Sequence, residues 1–96
     1  YMGFFSYLLG TDSKYSKTEH QLSAEKIKEL VSSYKVKSLS KNEENLVEDI
    51  LIARRRGDGK ISLFQIYEAL TKLENQNKIS RVDRDGLMKV FSSFFS

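Results

Sequence analysis

The chain has 96 residues, 40% hydrophobic and 30% charged, a composition that folds and that is too short for more than one core. With no cysteine and a single histidine, disulfides, thiolate nucleophiles, cysteine-ligated metals and paired-imidazole sites are excluded. The formal net charge of +3 is unevenly spread: residues 1–53 carry seven Lys/Arg against eight Asp/Glu, residues 54–96 nine against five.

The first stretch holds Phe4, Phe5, Tyr7, Leu8 and Leu9, too few apolar residues to span a bilayer, which needs about 20. It reads as a short apolar arm that closes one end of the core or touches a membrane weakly. Phe91, Phe94 and Phe95 at the other end of the sequence are a natural packing partner for it. Residues 10–21 are polar and without period, so they read as a linker. The expected organisation is therefore an arm and linker over 1–21 and a helical domain over 22–96.

Four helix starts follow. Ser23 is an N-cap, with Leu22 and Ile27 placed as a hydrophobic staple, and Ile27, Leu30, Val31 and Tyr34 give a helical stripe. This predicts a helix over 24–35. Ser40 and Glu43 form a capping box ahead of Leu46, Val47, Ile50 and Leu51, which predicts a second helix over 41–56. Its acids come early and Arg54, Arg55 and Arg56 come last, as the helix dipole favours. Ser62 with Gln65, and Ile61 with Ile66, repeat box and staple for a helix over 63–74. Ser80 and Asp83 start a fourth over 81–95, with Leu87, Val90, Phe91 and Phe94 as its inner stripe. Gly86 inside it costs about 1 kcal/mol relative to alanine. The expected fold class is all-α, a compact bundle of about four helices, with Lys60–Ser62 at most a short extended bridge. Leu30, Leu46, Ile50, Ile66, Leu70, Leu87 and Phe91 are the expected core.

Gly57-Asp58-Gly59-Lys60-Ile61-Ser62 resembles the centre of EF-hand and dockerin calcium loops, with Asp58 and Gly59 at places five and six and Ile61 at eight. That resemblance puts Arg54, Arg56 and Gln65 at places one, three and twelve, where Ca²⁺ needs carboxylates. A second stretch, Arg81 to Met88, places Asp83, Asp85 and Gly86 similarly, with Arg81 at place one. A degenerate calcium-loop module without bound metal is one reading. No nucleotide-binding, nucleophile-elbow or zinc motif is present, and His20 beside Glu19 lies in the polar linker. Neither an enzyme nor a cofactor is expected.

The preferred reading is a non-enzymatic interaction, regulatory or assembly domain. Its contact surface is Arg54, Arg55, Arg56, Lys60 and Tyr67, and its partner a protein, acidic where it meets this turn. The alternative is a helix-turn-helix-like nucleic-acid binder using Arg81, Arg84 and Lys89 on the fourth helix. Asp83 and Asp85 beside that face speak against it. Homo-oligomerisation stays open, and an intracellular location is expected.

Overall fold

The computed structural model describes residues 15–34 and 39–96. The apolar arm over residues 4–9, its packing on the C-terminal phenylalanines and its membrane contact lie outside the described residues. Within them the protein is mostly α: β1 (Glu19–Gln21), α1 (Ala24–Ser32), α2 (Lys41–Arg54), β2 (Lys60–Ser62), α3 (Leu63–Asn75) and α4 (Arg81–Phe95).

Each helix begins at the serine that its sequence marks. Ser23, Ser40, Ser62 and Ser80 accept from the backbone N–H groups of Lys26, Glu43, Gln65 and Asp83, and the boxes at Ser40 and Ser62 close in both directions. The interaction is local, so it forms whatever the tertiary setting. The ends differ from expectation: α1 and α2 stop at Ser32 and Arg54, and α3 runs on to Asn75.

An all-α fold is corrected by one antiparallel strand pair, with Glu19 opposite Ser62, His20 opposite Ile61 and Gln21 opposite Lys60. The polar stretch 10–21 thus ends in a strand rather than in linker. Glu-His-Gln has no strand pattern; its backbone pairs with β2, and Leu22 N–H extends the ladder to the Gly59 carbonyl at 3.1 Å. Leu22 itself is buried, in the same core as its staple partner Ile27 and the second staple pair, Ile61 and Ile66.

The core also turns α2 and α4 relative to expectation. Val47 and Leu51 are fully buried on α2, while Leu46 is 37% exposed and Ile50 only packs against the core edge, as does Leu30 on α1. On α4 the buried residues are Leu87, Met88 and Phe91; Val90 is peripheral and Phe94 is 40% exposed. Both helices carry apolar residues around more than a single stripe, and the neighbours select the side that goes in. The stretch from Arg81 to Met88 is helix, so its resemblance to a calcium loop does not survive. Asp83 there is buried and accepts from the Tyr34 hydroxyl at 3.3 Å.

Glu48 faces inward on α2 and is only 8% exposed. Burial pushes its carboxyl pKa up, Lys41 and Lys28 oppose that, and Glu44 and Asp49 reinforce it. The folded protein thus holds this proton more tightly than the unfolded chain, whose glutamate titrates near pH ~4.3. Stability from this group is complete below that pH and is lost as pH rises through the folded-state pKa. Glu48→Gln should therefore gain stability over the parent at pH 7 and gain much less at pH 4, as read by urea melts at both. An equal gain at the two pH values would show that the carboxyl is not destabilised by folding.

Candidate functional site

The three arginines at the end of α2 are divided among different tasks. Arg54 Nη2 reaches Glu68 Oε1 on α3 at 3.1 Å, an exposed pair. Arg55 turns inward: its Nε donates to the Ile52 carbonyl at 3.2 Å and its Nη1 to the Leu22 carbonyl at 3.0 Å. It thereby caps the end of α2 and ties it to the residue after β1. Arg56 Nη1 pairs with Glu19 Oε1 at 3.0 Å, and Gln65 Nε2 donates to Glu19 Oε2 at 3.3 Å. One carboxylate on β1 therefore joins the loop to the start of α3. Lys60 is exposed at the loop's end.

The turn itself closes on its backbone. Gly59 N–H donates to the Arg56 carbonyl at 2.8 Å and Arg56 N–H to the Lys60 carbonyl at 2.9 Å. Asp58 Oδ1 accepts from Lys60 N–H at 3.2 Å, and Gln21 Nε2 donates to the Asp58 carbonyl at 2.7 Å. Gly59 has φ +84, and a Cβ there would lie 2.7 Å from Gln21 Nε2, so glycine is required on both counts.

Oxygens that a calcium ion would need in this loop are already engaged by protein N–H groups, and two guanidinium groups occupy ligand places. Among the described residues no group of three or more His, Cys, Asp or Glu is arranged to hold a metal ion. Titration with millimolar Ca²⁺ should leave the Gly59 amide unshifted and produce no site-specific heat. A micromolar 1:1 isotherm with a shift at Gly59 would refute this.

Tyr67 and Arg84 lie elsewhere, between α3 and α4. The Tyr67 ring packs against Tyr15 at a centroid distance of 5.0 Å, and the Arg84 guanidinium lies over it at 5.4 Å. Arg84 also bonds Glu74 Oε1 at 2.7 Å and Asp85 Oδ1 at 3.1 Å. Burial works to lower the Arg84 pKa, but the Asp85 hydrogen bond and the Glu74 charge outweigh it and hold it above the ordinary arginine value. Both side chains serve the α3–α4 contact. Arg81 stands exposed, 3.7 Å from Glu74. Lys89 lines an open cleft of 730 Å³ with Tyr15, Asp85, Met88, Ser92 and Ser93 of α4, and Ser96 just past its end. The candidate partner and nucleic-acid residues are thus not gathered on one face: Arg54, Arg56 and Lys60 flank the α2–β2 turn, Tyr67 and Arg84 are packed, and Arg81 and Lys89 lie along α4.

Sequence reading missed Glu19 and Gln21, whose side chains brace the turn from a strand with no pattern of its own. The chain matches no protein-family model, no curated protein and no solved structure.

Proposed function

We propose that the protein is a non-enzymatic interaction domain that presents Arg54, Arg56 and Lys60 on the braced α2–β2 turn to an acidic protein partner. The observation that carries this reading is the split of the arginine triplet: Arg55 is spent on backbone carbonyls, whereas the side chains of Arg54 and Arg56 stay exposed, Arg54 in an exposed pair with Glu68 and Arg56 against the half-buried Glu19. An exposed pair such as Arg54–Glu68 is worth about 0–1 kcal/mol, so a partner carboxylate exchanges for Glu68 at little cost, while Glu19 holds Arg56 in place beside it. The turn is held by Gln21 and Asp58, so little order is lost on binding. Against the nucleic-acid alternative, Arg84 is committed to Glu74 and Asp85.

The test is affinity capture from native lysate, with and without nuclease, using the intact domain and an Arg54→Ala/Arg56→Ala variant. One partner is expected, retained at a fixed stoichiometry through nuclease treatment and lost in the variant. Retention abolished by nuclease returns the nucleic-acid reading. Unchanged retention by the variant removes the turn from the contact surface.

A further inference from the structure

α2 carries more apolar residues than the core takes up. Val47 and Leu51 are fully buried, yet Leu46 stands 37% exposed and Ala53 is open to solvent, with Ile50 half-buried between them. Glu43, Leu46, Ile50 and Arg54 follow one another at steps of three, four and four residues, so they share one side of the helix. That side lies at the margin towards α3, because Arg54 reaches across to Glu68 there at 3.1 Å.

The order along this stripe is acid, apolar, apolar, base. Turned end for end, it reads base, apolar, apolar, acid. Two copies laid antiparallel therefore complement each other: Leu46 of one copy meets Ile50 of the other, and Glu43 of one meets Arg54 of the other, each pair made twice. Such a contact about a two-fold axis is closed, one patch meeting itself. A parallel arrangement would set Glu43 on Glu43 and Arg54 on Arg54. Both charged groups are available for the antiparallel one. Glu43 Oε1 accepts from Ser40 N–H at 2.7 Å, which fixes the carboxylate at the helix start, and a carboxylate has further lone pairs for a guanidinium. Arg54 sits in an exposed pair, the kind that exchanges partners at little cost. Leu46 and Ile50 supply the apolar surface withdrawn from water.

We infer that this face of α2 is a self-association surface, occupied by a second copy of the chain in antiparallel register. The inference goes beyond the acidic-partner reading and shares only Arg54 with it; Arg56 and Lys60 lie past the end of the stripe. The contact is a single helix face, at the small end of specific interfaces, so the dimer forms and separates with concentration.

Sedimentation equilibrium of the full chain from micromolar to millimolar concentration tests it. The average mass should climb from 11.1 kDa towards twice that value. Leu46→Asp should hold it at the single-chain mass throughout, with circular dichroism showing the helices intact. Arg54→Glu and Glu43→Lys each set like charges against one another and should weaken the dimer about tenfold or more. An equimolar mixture of those two variants should recover it, because each chain then meets opposite charge at both ends of the stripe. That recovery is not expected of a variant weakened only by loss of the capping box. A mass of 11.1 kDa at every concentration overturns the inference, and so does a dimer that Leu46→Asp leaves intact. Mixed variants that pair no better than either alone overturn the antiparallel register. None of these results decides the acidic-partner reading, which falls instead when Arg54→Ala/Arg56→Ala retains the same captured protein.

Discussion

Phe91→Ala is expected to remove about 3–5 kcal/mol of stability, and Leu70→Ala about 2–5 kcal/mol. Among the described residues Phe91 is the largest fully buried side chain, and it enters from α4. Leu70 enters from α3 and is equally inaccessible. A small domain is stable by about 5–15 kcal/mol in total, so either loss is a large part of the whole. The cost combines lost transfer free energy with the cavity that rigid helices leave unfilled. Phe94→Ala is the internal comparison: with its ring 40% exposed it should lose only a fraction of the Phe91 value. Urea melts with an unchanged slope measure all three. A Leu70→Ala loss below about 0.5 kcal/mol would place Leu70 outside the core, since surface substitutions fall in that range.

That comparison also shows where local pattern stops being informative. Ser23, Ser40, Ser62 and Ser80 could be read directly, because a cap is a contact between residues three apart. α1 and α3 could be read too, because each has a single apolar side. On α4, residues 87, 88, 90, 91 and 94 are all apolar, and the helical period alone does not choose among them. The choice of Met88 over Phe94 is made by the packing against α1 and α3. Leu46 against Val47 on α2 is the same case. β1 is further from local reach, since Glu19, His20 and Gln21 form a strand only because β2 is there to pair with.

The arginine triplet divides along the same line. Dipole compensation at the end of α2 accounts for a positive charge there without saying which side chain supplies what. Only the crossing of β1 beside the turn gives Arg55 the Leu22 carbonyl and Arg56 the Glu19 carboxylate. A basic run that looks like one surface in sequence is, in the fold, one internal clamp between an exposed ion pair at Arg54 and a half-buried one at Arg56. This is why the proposed contact surface excludes its central residue.

Gly86→Ala is expected to destabilise the protein by about 1–3 kcal/mol, the range for overpacking a filled interior. Helix propensity alone gives the opposite sign, since alanine is favoured over glycine by about 1 kcal/mol within a helix. The fold decides between them. Tyr34, just past the end of α1, lies across α4 at Gly86, so a methyl there would sit 2.6 Å from the Tyr34 hydroxyl and 2.7 Å from Cζ. The ring has little freedom to withdraw. It is buried, and its hydroxyl is held by Asp83 Oδ1 at 3.3 Å and lies 3.4 Å from the Val82 carbonyl. Burial first, and then the Asp83 carboxylate, push the phenol pKa above its ordinary value, so Tyr34 stays a neutral donor. Gly86 is therefore the close-approach point of the Tyr34 ring on α4 rather than a weak spot in the helix. A double-mutant cycle separates the two effects. In a Tyr34→Ala background the overlap is gone, and Gly86→Ala should become neutral or stabilising by up to about 1 kcal/mol, the propensity gain alone. The same loss in both backgrounds would mean that Tyr34 is not what excludes a side chain at position 86.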